Sequence, residues 1–193
     1  MTESPARTDR PAAGHGRRTI FLIAAVVLAP VVASYIVYYL FPQEAQVNYG
    51  TLLATVPAPA VVGTRADGTA FRLDELHGRW VLLSGGRGCD AACERKLYAT
   101  RQARTMQGKD QDRIVRVWLA SGDNPPTPDL VAEHPGLLVI RVGATGLERF
   151  PGGAGPIYLI DPLGNLVLRY PDNPDIRGIA NDLARVLKAS RIG

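Results

Sequence analysis

The sequence predicts an α/β domain, a mixed sheet flanked by helices, behind one N-terminal transmembrane helix. Three observations lead there. Apolar runs of strand length (Trp80–Leu83, Ile114–Ala120, Leu137–Val142 and Ile157–Ile160) alternate with segments of helical spacing, which is how a sheet with helices on its faces is encoded. Thr19 to Phe41 contains no charged residue and is long enough to cross a hydrocarbon core. The only two cysteines, Cys89 and Cys93, fall where a strand hands over to a helix, a place where α/β sheets put their chemistry.

The chain has 193 residues, 46% of them hydrophobic, enough for one domain with a sizeable core plus attachments. Its formal charge of +4 divides evenly between the first 42 residues, where Arg7, Arg10, Arg17 and Arg18 outnumber Glu3 and Asp9, and the remainder. A nearly balanced folded part argues against nucleic acid as a partner. Residues 1–18, rich in Pro, Ala and Gly, read as a disordered cytoplasmic tail, and residues 19–41 as the transmembrane helix. Pro30 is tolerated in such a helix, and Tyr35, Tyr38 and Tyr39 gather at its far end as an aromatic belt does. A cleaved signal peptide is the competing reading, but the apolar stretch exceeds a signal core and no clear small-x-small site precedes Gln43. Arg17 and Arg18 keep the N-terminus in the cytoplasm by the positive-inside rule. This gives a single-pass protein of the bacterial inner membrane with a periplasmic C-terminal domain. Residues 42–59 read as a linker and 60–190 as the external domain.

Within that domain Asp67-Gly68 suggests a small hairpin with Phe71 and Leu73 on its second arm. Asp74 to Gly78 is a turn or loop before the strand Trp80–Ser84, and Gly85 to Gly88 reads as a glycine-rich corner. Cys93, Leu97, Thr100, Ala103 and Met106 then recur at helical spacing and face the sheet, while Arg95, Arg101, Arg104 and Lys109 form a solvated face. After the strand Ile114–Ala120, the proline-rich Gly122–Pro128 is a loop, Asp129–Glu133 a short helix and Leu137–Val142 a third strand. A flexible loop from Phe150 leads to a strand at Ile157, a turn at Pro162–Asn165 and an antiparallel return over Leu166–Tyr170. The last helix carries the stripe Ile176, Ile179, Ala180, Leu183 and Leu187, with Asn173 as its cap and Pro174 at its first position. The order of these elements is the thioredoxin order.

Cysteines four apart at a helix start have α-carbons about 6 Å apart, within the span of a disulfide. The helix N-terminus and Arg87 would both stabilise a thiolate at Cys89.

Asp67-Gly68 through Leu73, then Gly78-Arg-Trp80-Val-Leu-Leu and a glycine-rich turn into Cys-x-x-x-Cys, resembles the SCO/SenC branch of the thioredoxin-like superfamily. Pro156-Ile-Tyr158-Leu-Ile-Asp161-Pro-Leu-Gly164 is similar to that branch's later strand and hairpin. The resemblance covers roughly Val47 to Ala189. It implies a thioredoxin-like fold and a role in assembling the copper centre of cytochrome c oxidase, with copper held by Cys89, Cys93 and a later histidine. The histidine's place falls at Gly152 or Gly153, and Asp90 stands where the family has proline. His15 lies across the membrane, and His77 and His134 precede their strands, at the opposite end of the sheet from the cysteines. Met106 lies far down the helix. The resemblance also implies a cis-proline, Pro156, beside the cysteine pair.

Three readings of function follow. In the first, Cys89 attacks and Cys93 resolves in a membrane-tethered thiol–disulfide module acting on an oxidase subunit or another periplasmic thiol protein. In the second, the two cysteines bind Cu(I) as a chaperone. In the third, they form a static disulfide in an interaction module, which external compartments favour, although so short a loop adds little closure stabilisation.

Overall fold

The computed structural model describes residues 15–40 and 48–190, as two compact units. The tail expected over 1–18 lies outside the described residues except for residues 15–18, which are helical. Helix α1 (His15–Leu40) contains the window Arg18–Val37, long and apolar enough to cross a membrane. Its described apolar side chains, among them Phe21, Val27, Val32, Val37 and Tyr39, are exposed, as in a helix whose solvent is lipid. Tyr35 and Tyr39, one turn apart, stack with centroids at 6.3 Å.

The second unit, from Val47 on, is built on one eight-stranded sheet. Its strands are β1 (Thr51–Pro57), β2 (Val62–Arg65), β3 (Ala70–Arg72), β4 (Trp80–Gly88), β5 (Ile114–Asn124), β6 (Leu137–Arg141), β7 (Ile157–Ile160) and β8 (Asn165–Tyr170). The order across the sheet is β1-β8-β7-β4-β5-β6-β2-β3. β4, β5 and β6 run parallel in the middle, and β7 joins β4 antiparallel, so the sheet is mixed. Helices α2 (Ala91–Thr105), α3 (Pro128–Ala132) and α4 (Ile176–Ala189) complete the unit.

Alternation along the strands divides the core. Leu82, Leu159 and Leu168 meet Ala103 of α2 and Ile179, Ala180 and Leu183 of α4, while Trp118 and Ala120 meet Cys93 and Leu97 of α2 and Leu130 of α3. The opposite face carries Val81, Leu83, Val117, Leu119, Tyr158 and Ile160. It is covered by Leu73 and Leu76 of a 3-10 turn and by Leu147 and Phe150, rather than by a long helix.

Several expected boundaries move. Residues 51–57, expected inside a linker, form β1 and pair with β8. Their side chains are mostly exposed, so they lack the buried alternation that marks a strand. The glycine-rich corner is strand as well: β4 continues through Gly85–Gly88, and β5 extends to Asn124 to match it. Glycine suits this stretch because a Cβ on Gly85 would lie 2.6 Å from the Leu119 carbonyl oxygen. The cap of α4 is Asp175, whose carboxylate accepts from the Arg177 and Gly178 amides, in place of Asn173.

The chain enters this unit under the control of one buried carboxylate. Asp182 of α4, 1% exposed, accepts from the Tyr49 amide at 3.1 Å and the Gly50 amide at 2.8 Å. Tyr49 lies close over Gly178, where a Cβ would come within 2.4 Å of its ring, and its hydroxyl accepts from the Asp175 amide. Removing the carboxylate leaves two amides without their acceptor. Asp182→Ala should therefore lower the unfolding free energy by about 3 kcal/mol, and Asp182→Asn by less, in urea titrations of the detergent-solubilised chain. Equal midpoints for Asp182→Ala and wild type would show that this contact does not anchor β1.

Candidate functional site: a disulfide at the end of the central strand pair

Cys89 follows the last residue of β4 and precedes α2. Its amide donates to the Asn124 carbonyl at 2.9 Å, which extends the β4–β5 pairing by one hydrogen bond beyond Gly88↔Asn124. Such an approach tolerates no side chain on the facing strand. A Cβ on Gly122 would lie 2.2 Å from the Arg87 carbonyl oxygen. Asp90 then caps α2, its carboxylate accepting from the Ala92 amide at 3.0 Å and the Cys93 amide at 3.1 Å. Those hydrogen bonds, the one from Cys93 foremost, hold its carboxyl below the usual carboxylate range. The residue standing in the family's proline position thus starts the helix, by the most favoured type of N-cap.

Cys89 and Cys93 are joined by a disulfide with α-carbons 4.9 Å apart. They do not share a helical turn, as the four-residue spacing suggested. Cys89 stands just outside the helix, and Cys93 is the third residue inside it. Cys93 is buried, while Cys89 is only half-buried, so Cys89 is the sulfur an incoming group can reach.

The pair borders a cavity of about 350 Å³ lined by Gly85–Cys89, Trp118, Asn124, Ala154, Gly155 and Lys96. Lys96 is the residue that sequence reasoning missed. It lies one turn beyond Cys93 and is 4% exposed. Its ammonium donates to the Ala154 carbonyl at 3.0 Å and pairs with Asp172 at 2.6 Å. Its position was legible, since it falls on the helix face between Cys93 and Thr100, but a lysine on that stripe ordinarily turns its head to water. Arg87, expected beside the sulfurs, is instead exposed and stands 3.9 Å from Glu148.

The loop opposite arrives through Gly152 and Gly153, both at positive φ. The Tyr158 hydroxyl lies 3.0 Å from the Pro151 carbonyl and 2.9 Å from that of Gly153. Burial pushes this phenol up to about 12, so it remains a donor. The loop brings Ala154 and Gly155 to the cavity, with half-buried Pro156 next in the chain. The Gly155–Pro156 peptide is trans, against the cis bond that the resemblance implies, because the two left-handed glycines already reverse the chain.

His77 and His134 stay away from the pair. His77 borders a different cavity, with Asp74, Asp161 and Gly164, at the start of β4, a strand whose nine residues place Cys89 on the order of 30 Å further on. His134 is buried before β6, its carbonyl accepting from Arg116. Met106 caps the far end of α2. Among the described residues no group of three or more His, Cys, Asp or Glu side chains could hold a metal ion. Two cysteine sulfurs with no third described donor grouped with them do not fit a three-ligand copper centre.

Residues 80–190 match the family model described as transmembrane-like, thioredoxin-like, C-terminal domain. No curated protein matches the chain in sequence. Solved structures resemble it in fold. Copper-bound ScoI of Arabidopsis thaliana is 18% identical, with a TM-score of 0.57 over 70% of this chain and 100% of that one. Apo Sco1 of Thermus thermophilus is 21% identical, with a TM-score of 0.57 over 76% and 99%. The thioredoxin domain of a thiol-disulfide oxidoreductase from Bacteroides vulgatus is 18% identical, with a TM-score of 0.52 over 70% and 99%. The fold is therefore thioredoxin-like, as the element order predicted.

The strand contact that positions Cys89 can be tested by glycine substitution. Gly122→Ala should cost about 1–3 kcal/mol of stability through overpacking against the Arg87 backbone. Gly88→Ala, whose added carbon would meet nothing nearer than 3.7 Å, should stay close to wild type. Urea midpoints of the two variants decide it; a tolerated Gly122→Ala would mean that β4 and β5 are not so tightly apposed at the site.

Proposed function

We propose that this chain, which belongs to the transmembrane-like, thioredoxin-like, C-terminal domain family, is a membrane-tethered thiol–disulfide exchange module. The observation that carries the reading is the asymmetric disulfide, with Cys89 open to the cavity and Cys93 buried at the helix N-terminus. Such a pair suits two successive exchanges. With the pair reduced, the Cys89 thiolate attacks a partner's disulfide, forming a mixed disulfide and expelling one partner thiolate. Cys93 then attacks Cys89 Sγ, restoring the Cys89–Cys93 bond and releasing the second partner thiolate. Two electrons pass from this chain to the partner, and the reverse sequence oxidises a partner dithiol. The Ala154–Pro156 loop borders the approach to Cys89 and orients the partner's backbone.

The apolar helix is the anchor of a single-pass protein. With Arg17 and Arg18 on the cytoplasmic side, the thioredoxin-like domain works in the periplasm of a bacterial inner-membrane protein. The family resemblance supports, as partner, the copper-site subunit of cytochrome c oxidase, whose cysteines must be reduced before metal enters. Copper delivery by this chain is the second reading. It is favoured by the copper-bound Sco neighbour and by the preference of Cu(I) for thiolates. The donor set described above speaks against it.

Glutathione disulfide serves as the probe. The reduced Cys93→Ser chain in detergent should retain one glutathione, linked to Cys89, by intact mass. The reduced wild-type chain should retain none and recover its internal disulfide. A wild-type chain that keeps the adduct, or fails to re-form the Cys89–Cys93 bond, would rule out exchange and leave an interaction module.

A further inference from the structure

We propose that Lys96 supplies the positive charge that receives Cys93 as a leaving thiolate, and that Asp172 tempers it. The inference rests on the exchange reading of the same disulfide. When an outside thiolate opens the disulfide, it bonds to the accessible Cys89 Sγ, the Cys89–Cys93 bond breaks, and the electron pair of that bond stays on Cys93 Sγ. Cys93 is only 1% exposed, so water has little access to the new charge, and a buried unpaired charge is costly. Two positive features are at hand. One is the N-terminus of α2, where the Cys93 amide is already engaged by Asp90. The other is Lys96, one turn along the same helix, buried and bordering the same cavity. Lysine near a cysteine lowers the energy of its thiolate, and a better leaving thiolate leaves faster.

The surrounding charges are few. Asp90 faces the pair from the start of α2, and Asp172 reaches Lys96 from the β8–α4 connection. Arg87 at the end of β4 is exposed beside Glu148, and Glu94 on α2 is also exposed. Lys96 is therefore the buried cation of the site, and Asp172, its ion-pair partner and 56% exposed at the side chain, offsets it alongside the Asp90 carboxylate, which also feels the Lys96 charge. A purely structural role for the Lys96–Asp172 pair predicts that removing either side chain does similar harm. The electrostatic role predicts opposite signs.

The test is the rate at which dithiothreitol reduces the disulfide in the full chain in detergent, together with its equilibrium in a glutathione redox buffer. Lys96→Met should slow reduction about tenfold and shift the equilibrium toward the disulfide by a similar factor, the scale of one nearby charge. Lys96→Arg should stay within about twofold of wild type, since its charge is kept. Asp172→Asn should accelerate reduction and shift the equilibrium toward the dithiol. Asp172 is a surface side chain, so that variant decides the matter even if Lys96→Met unfolds. Unchanged rates in Lys96→Met, or an unchanged or slower rate in Asp172→Asn, would overturn the proposal. A wild-type disulfide inert to dithiothreitol would instead overturn the exchange reading beneath it.

Discussion

The hydrogen bond from the Cys89 amide to the Asn124 carbonyl closes the β4–β5 pairing where the chain leaves the sheet, and the site depends on it. A parallel pair running to that point needs backbones close enough to bond past the apolar core, hence Gly85 and Gly86 on one strand and Gly122 on the other. With the ladder complete, Cys89 is fixed at the end of the central strand pair and Asp90 starts α2. Cys93 then turns inward against Leu97, Trp118 and Ala120. The asymmetry of the disulfide, one sulfur reachable and the other buried, follows from where the strand stops and the helix begins.

A second constraint acts from the far side of the cavity. The loop before β7 turns on Gly152 and Gly153 and is steadied by the Tyr158 hydroxyl, while Ala154 receives the Lys96 ammonium. The glycines that stand where the resemblance expects a histidine thus make the turn that lets the loop meet the cysteine helix.

Much of this was legible because apolar runs and helical stripes report burial directly. The central strands, the hairpin at Pro162–Asn165 and α4 follow from their side chains. β1 was not legible, because Leu52 and Val56 are exposed and its pairing with β8 joins residues more than a hundred positions apart. The strand character of Gly85–Gly88 was hidden because glycine ordinarily marks a turn, and only the nearness of Leu119, Leu147 and Trp118 explains why a strand requires it. Lys96 was hidden for the opposite reason. Its charge suggested solvent, and its burial depends on Asp172 and Ala154, brought to it from distant parts of the chain.

In the exchange reading, the Cys89–Cys93 bond is a working redox couple and not a permanent staple. The reduction potential of the full chain, equilibrated against defined glutathione ratios, tests it most directly. A working couple should have a value above about −300 mV, within reach of cellular thiol couples. A value well below that, typical of structural disulfides in exported proteins, would contradict it.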